Sequence, residues 1–260
     1  MSTKKENKIY LYCIILLIIV SIVTIIFTKY NKYYENRTIN EIKKNVVIVK
    51  DGKVKKENEG KLVLVNGKLD YGDEILHDDL FDISIQTPRL FRYIEVYQWF
   101  EYKTKDKNGN TIYKYVKKWD ANMIDSDKFQ EKKYINPKGK IENSKFFYAK
   151  EISINEFTLS EEQKGKLPCP NKIRINPNIK LEPQFKIYDN YITNSIDPYD
   201  PQIGDARISY YYNSWKEATV LAVQSKNSFE SYTTKTDLMV NHLGEGKLSL
   251  SEMAALIEQN

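Results

Sequence analysis

Two cysteines and two histidines in 260 residues leave this chain with little of the chemistry that metals, nucleophiles and disulfides depend on. Cys13 lies in an apolar run and Cys169 far away between Pro168 and Pro170. They are not expected to pair, and no Cys/His spacing suits zinc. A phosphate loop, a dinucleotide fingerprint and a nucleophile elbow are all missing, so no cofactor and no catalytic residue is assigned and an enzyme is not expected. With only 10 Gly and 8 Pro the chain is not of low complexity. Its 41% hydrophobic and 29% charged residues can build a core rather than a disordered tail. The formal net charge of +5 is modest, and no base-stacking module is present, so nucleic acid is not an expected partner.

What is present begins with an apolar run. Residues 9–27 are broken only by residues such as Ser21 and Thr24. As a helix the run spans roughly 28 Å at about 1.5 Å per residue, enough for a bilayer. It continues into Thr28-Lys29-Tyr30-Asn31-Lys32-Tyr33-Tyr34, a poor cleavage site and a good interfacial belt, so an uncleaved anchor is expected. Lys4, Lys5 and Lys8 precede it and Lys29, Lys32, Arg37, Lys43 and Lys44 follow it. Charge alone leaves the orientation open; the expectation is a cytoplasmic N-terminus and an extracytoplasmic domain. The sequence divides into a tail at 1–8, the anchor at 9–27, a basic juxtamembrane tether at 28–45 and an extramembrane domain at 46–260. Between Lys29 and Lys61 ten basic residues face five acidic ones, which suits either anionic lipid or a solvated tether.

The longest coherent pattern runs from Arg89 to Trp119. Both arms are rich in β-branched and aromatic residues around Asn108-Gly109, which reads as a long hairpin. A two-residue turn there places Tyr102 opposite Tyr115, Phe100 opposite Lys117 and Gln98 opposite Trp119. Alternation puts Leu90, Ile94, Val96 and Phe100 on one face and Tyr93, Glu95, Tyr97, Trp99 and Glu101 on the other. The second face is a candidate interaction surface, set against the plainer reading of a second packed layer.

Short β-type runs occur at 46–49, 62–65 and 81–85. A capping-box pattern at Ser160 and Gln163 predicts a short helix to Lys166, and another at Ser249 and Glu252 predicts a terminal helix. Six of the eight prolines fall between Pro168 and Pro201, which marks 166–202 for irregular connections or a subdomain boundary. Residues 207–212 and 218–224 read as a second antiparallel pair. Arg207 is placed to pair with Glu95 or Glu101, and Gly204-Asp205 before it reads as a turn rather than a ligand loop. Asp70, Glu74, His77 and Asp78 would share a face if helical and could then bind a divalent cation, but a solvated loop is preferred and no metal is assigned. Glu95 and Glu101, roughly 20 Å apart along a strand, are too distant for a glycosidase pair.

The hairpin and its flanks resemble the LUMA family, also called transmembrane protein 43. The matching residues are Asn58-Glu59-Gly60-Lys61-Leu62-Val63, Leu90 and Arg92 leading to Glu95-Val96-Tyr97-Gln98-Trp99 and Glu101, then Thr111, Tyr113, Tyr115 and Trp119. Asn136-Pro137, Phe157 with Leu159-Ser160, Gly204-Asp205-Ala206-Arg207-Ile208-Ser209, residues 231–236 and Gly244 follow in order. The resemblance implies one N-terminal helix, a large extramembrane domain, and a C-terminal group of membrane helices. This chain departs from the last feature, since nothing after Gln224 is apolar enough to span; with its Lys-, Ile- and Asn-rich composition it reads as a bacterial member lacking those helices.

The expected fold is α+β and β-dominated, with antiparallel sheets in two packed β subdomains behind one transmembrane helix. The first functional reading is a membrane-anchored, non-enzymatic scaffold that binds the bilayer and other membrane proteins or copies of itself. Glu95, Tyr97, Trp99, Glu101 and Arg207 are its candidate surface. The second is an extracytoplasmic ligand-binding or envelope-stress sensor signalling through the helix. A membrane-tethered hydrolase is a third.

Overall fold

The computed structural model describes residues 2–138 and 142–258. In chain order the elements are α1 (Ser2–Asn45), β1 (Val47–Val49), β2 (Leu62–Asp70), β3 (Leu76–Asp78), β4 (Ile83–Ile85), β5 (Arg89–Lys105) and β6 (Thr111–Asp120). Next come β7 (Lys145–Tyr148), β8 (Ser153–Ile154), β9 (Phe157–Thr158), α2 (Glu161–Lys166), β10 (Asn171–Lys172), β11 (Lys186–Tyr188) and β12 (Tyr191–Thr193). The last are β13 (Ala206–Tyr212), β14 (Glu217–Ser225), β15 (Ser228–Glu230), β16 (Tyr232–Thr233), β17 (Met239–Val240), β18 (His242–Glu245) and α3 (Leu250–Glu258). The fold is α+β with a β majority behind one long N-terminal helix.

The chain forms two compact units that interleave in sequence: residues 1–68, 154–160 and 217–260 in the first, 69–153 and 161–216 in the second. The proline-rich stretch 166–202, read as a place for a subdomain boundary, lies wholly inside the second unit. Its strands explain this, because β10 and β12 both pair with β13, tying the stretch into one sheet.

In the first unit the sheet order is β15-β14-β2-β8-β9, with β1 parallel to β2 and β18 on β14. Residues 14–37 of α1 are exposed along the whole helix, as a membrane span requires. The helix does not stop at the end of the apolar run. The segment 28–45, read as a tether, continues it, because Ile42 is fully buried among Leu62, Leu64, Leu221, Val240 and Met253. Glu41 fixes the approach by accepting the Lys235 backbone N–H at 3.0 Å and the Tyr232 hydroxyl at 2.8 Å. The capping box opens α3 as expected: Ser249 N–H donates to Glu252 Oε2 at 2.7 Å.

In the second unit the sheet order is β11-β12-β13-β5-β6, with β7 on β5 and β10 on β13. Leu90, Ile94, Ile192, Ile208 and Tyr210 form its core with Leu76, Phe81 and Ile83. Residues 207–212 and 218–224 do not pair with each other: β13 runs against β5, and β14 against β2 in the other unit's sheet. The chain changes units between Lys216 and Glu217, so these sequence neighbours are not sheet neighbours.

The hairpin register is one residue away from the expected one. Tyr102 faces Lys114, Phe100 faces Val116 and Gln98 faces Lys118. The turn carries the cause. Asp106 N–H donates to Asn110 O at 2.9 Å, closing a three-residue loop in which Gly109 takes φ +84°. Asp106 Oδ1 accepts the N–H groups of Asn108 and Asn110 at 2.9 and 2.8 Å, which holds the longer loop.

Candidate functional site

Alternation on β5 separates two faces. Leu90, Arg92, Ile94, Val96 and Gln98 are buried, while Phe91, Tyr93, Glu95, Tyr97 and Trp99 are half-buried. Phe100, expected with the buried set, is half-exposed. Gln98 marks where the core ends: fully buried, it donates to Asn122 O at 2.7 Å and accepts from Ile124 N–H at 2.9 Å.

The five candidate residues fall into two groups. In one, Arg207 on β13 lies directly opposite Glu95 on β5 and grips it with two parallel bonds of 2.7 and 2.8 Å. The guanidinium also stacks over Trp119 at 4.7 Å, and Trp119 packs on Tyr97, its cross-strand partner, at 5.2 Å. The Glu95 carboxylate raises the Arg207 pKa further, against the opposing effect of burial. Burial and, after it, the Glu95 charge push the Tyr93 phenol up. The half-exposed pair contributes about 1 kcal/mol after solvent screening.

Trp99 and Glu101 belong to a second group, built by the strap that follows β6. Asn136 accepts the Trp99 N–H at 2.7 Å and donates to the Trp99 carbonyl at 3.0 Å, so its amide replaces a neighbouring strand. Tyr134 covers the Trp99 ring at 4.8 Å and stacks on Tyr115 at 3.8 Å. Glu101 Oε2 accepts from the Tyr115 hydroxyl at 2.5 Å and from Gln130 N–H at 2.6 Å. Tyr97 and Trp99 thus each pack against one aromatic neighbour, Trp99 also against the Lys117 ammonium, and Glu101 is committed to holding the strap.

Gly204 and Asp205 form a turn bonded to β5: Gly204, at φ +100°, donates to Tyr97 O at 2.9 Å, and Tyr97 N–H donates to Asp205 O at 2.8 Å. The acidic cluster is not helical. Leu76–Asp78 is a strand, so His77 points outward to Ser84 and Asp79 while Asp78 points inward. No cluster of three or more His, Cys, Asp or Glu suited to a metal occurs among the described residues.

Asp78, grouped by sequence with exposed acids, is instead the centre of a buried network. Arg92 Nη1 donates to both Asp78 oxygens at 2.8 and 2.9 Å, and the Tyr210 hydroxyl donates to Asp78 Oδ2 at 2.7 Å. Burial, then the bond to Asp78, pushes the Tyr210 phenol strongly up. Arg89 is buried without a carboxylate, donating to the carbonyls of Gly165 and Leu167 and lying over the Phe146 ring at 3.9 Å. Arg92 has the parity of Leu90 and Ile94, and a buried arginine requires buried acceptors, here the Asp78 carboxylate.

Beyond Gln98 the hairpin leaves the core. Its even-numbered face carries exposed Tyr102, Ile112, Lys114, Val116 and Lys118 beside half-exposed Phe100. Residues 102–118 hold six lysines and one aspartate, a net of +5 that equals the formal charge of the whole chain.

An exposed apolar helix of spanning length before a β-dominated domain defines a membrane protein with an N-terminal anchor. The family model described as Transmembrane protein 43 matches residues 96–260. The chain belongs to that family, as the residues from Glu95 to Trp99 and their flanks indicated. It is 26% identical over 218 residues to Transmembrane protein 43 of Mus musculus, covering 76% of this chain and 54% of that protein. For the Homo sapiens protein the identity is 27% over 218 residues, with the same coverage, and for the Drosophila melanogaster homolog 24% over 212 residues, covering 76% and 55%. The chain spans about half the length of the curated relatives it matches. No solved structure matches.

Proposed function

We propose that this chain is a membrane-anchored, non-enzymatic scaffold that organises membrane proteins through its extramembrane β domain, with the N-terminus cytoplasmic and the domain extracytoplasmic. The observation that carries the reading is the distal hairpin. Its apolar alternation runs on past Gln98, where nothing in the core needs it, and its lysines make that surface strongly positive, with Lys117 and Lys118 lying over the Trp99, Phe100 and Tyr102 rings. The carboxylates that catalysis would need are pinned elsewhere: Asp78 by Arg92, Glu95 by Arg207, Glu101 by Tyr115 and Gln130. Burial pushes the Cys169 thiol up to about 11, which keeps it protonated and unreactive at neutral pH.

Mild crosslinking in the membrane, followed by purification and mass spectrometry, tests this. A stoichiometric protein partner, or the chain itself, is expected with the wild type and is lost on Phe100→Ser with Val116→Ser. A monomer carrying only lipid or glycan contradicts it.

One observation favours a sensor as the second reading. The membrane helix is built into the first unit's core through Ile42 and Glu41, so a tilt or rotation of the helix would be felt by the sheet. A ligand that changes the exchange of the Lys235 amide, which Glu41 accepts, would support it; crosslinked partners without any such ligand would not.

A further inference from the structure

We propose that the outer edge of β6 is a docking site for an acidic, extended segment of a partner protein, added to the sheet as a further strand. This deepens the scaffold reading and rests on it for the existence of a partner. β6 is the last strand of its sheet. Because Asp106 and Asn110 close the loop by a backbone bond, the even-numbered residues of β6 face β5 across the ladder. Thr111, Tyr113, Tyr115, Lys117 and Trp119 therefore turn their N–H and C=O groups outward. Among the described residues no hydrogen bond reaches those groups. The open edge is ten residues long, roughly 33 Å at about 3.3 Å per residue.

Charge selects the occupant. Lys114, Lys117 and Lys118 lie on β6 itself, Lys103 and Lys105 on the paired strand and Lys107 in the turn, where Asp106, the one acid, is tied up. Lysines along an edge repel a second identical edge, which disfavours pairing between two copies of the chain. A strand with carboxylates at alternate positions sets them beside Lys114 and Lys118 on one face of the sheet, or beside Lys117 if turned over, and satisfies the outward backbone groups. A hydrocarbon surface would cover Ile112 and Val116 but leave those groups without partners, which disfavours insertion.

The test uses the full chain in phosphatidylcholine nanodiscs, with a short fluorescent peptide alternating Glu with Thr and Val as probe and its Lys counterpart as control. The acidic peptide is expected to bind, more weakly as salt rises, and to slow hydrogen exchange at the Tyr113, Tyr115 and Lys117 amides. Tyr113→Pro removes an outward N–H and no ladder bond, so affinity falls by about tenfold or more while the melting temperature holds. Lys114→Glu with Lys117→Glu leaves the edge open and shifts preference to the Lys peptide. The proposal is overturned if the three amides gain no protection, if Tyr113→Pro binds as well as the parent, or if phosphatidylserine nanodiscs alone protect the same amides. Peptide binding at this edge, in a chain that crosslinks to no partner, supports strand addition and counts against the scaffold.

Discussion

The two halves of one hairpin differ in what their alternation does. From Leu90 to Gln98 the inward face is closed by Arg92 on Asp78, by isoleucines and by the Gln98 amide. From Phe100 to Val116 the same parity continues with residues of similar size and meets solvent. A similar pattern is thus structural where a second layer covers it and exposed where none does. The difference lies in what the rest of the chain brings to each half, not in the strands.

Substitutions that break the proximal half should be costly and those in the distal half nearly silent. Arg92→Met, leaving Asp78 buried without its cation, should destabilise the second unit by about 3–5 kcal/mol in urea unfolding. Ile94→Ala opens a cavity at a site 3% exposed and should cost about 3 kcal/mol. Tyr210→Phe should cost about 1–2 kcal/mol at neutral pH by removing the bond to Asp78. It should also remove that phenol's share of the alkaline loss of stability. The folded phenol pKa is raised above the unfolded value of about 10, so its contribution is intact below that pH and falls progressively as pH rises above it towards the folded value. Melting curves between neutral and alkaline pH check this. Glu101→Gln, which weakens the strap's charged acceptor, should cost about 1 kcal/mol. Val116→Ala, the distal counterpart of the Ile94 change, should stay within about 0.5 kcal/mol.

The alternation, the anchor, the family and the capping box at Ser249 were legible because each is a local pattern. The register was not, since Asn108-Gly109 fits a two- or a three-residue loop and the Asp106 side chain decides between them. Glu95 and Glu101 share parity, so sequence offers Arg207 either partner; only the β5–β13 register separates them. Asp78 was hidden among exposed acids because its partners, Arg92 and Tyr210, lie 14 and 132 residues away. The pairing of 207–212 with 218–224 failed for a related reason: neighbouring strands usually pair, but here the chain passes between units.

The most direct test of the distal hairpin as a binding surface is site-specific photo-crosslinking in the native membrane. A photoreactive residue at Val116 is compared with one at Ile196, which is 95% exposed in the same unit. One recurrent protein adduct from position 116 and none from 196 is the predicted result. Equal labelling from both positions, or lipid adducts alone from 116, would contradict the account.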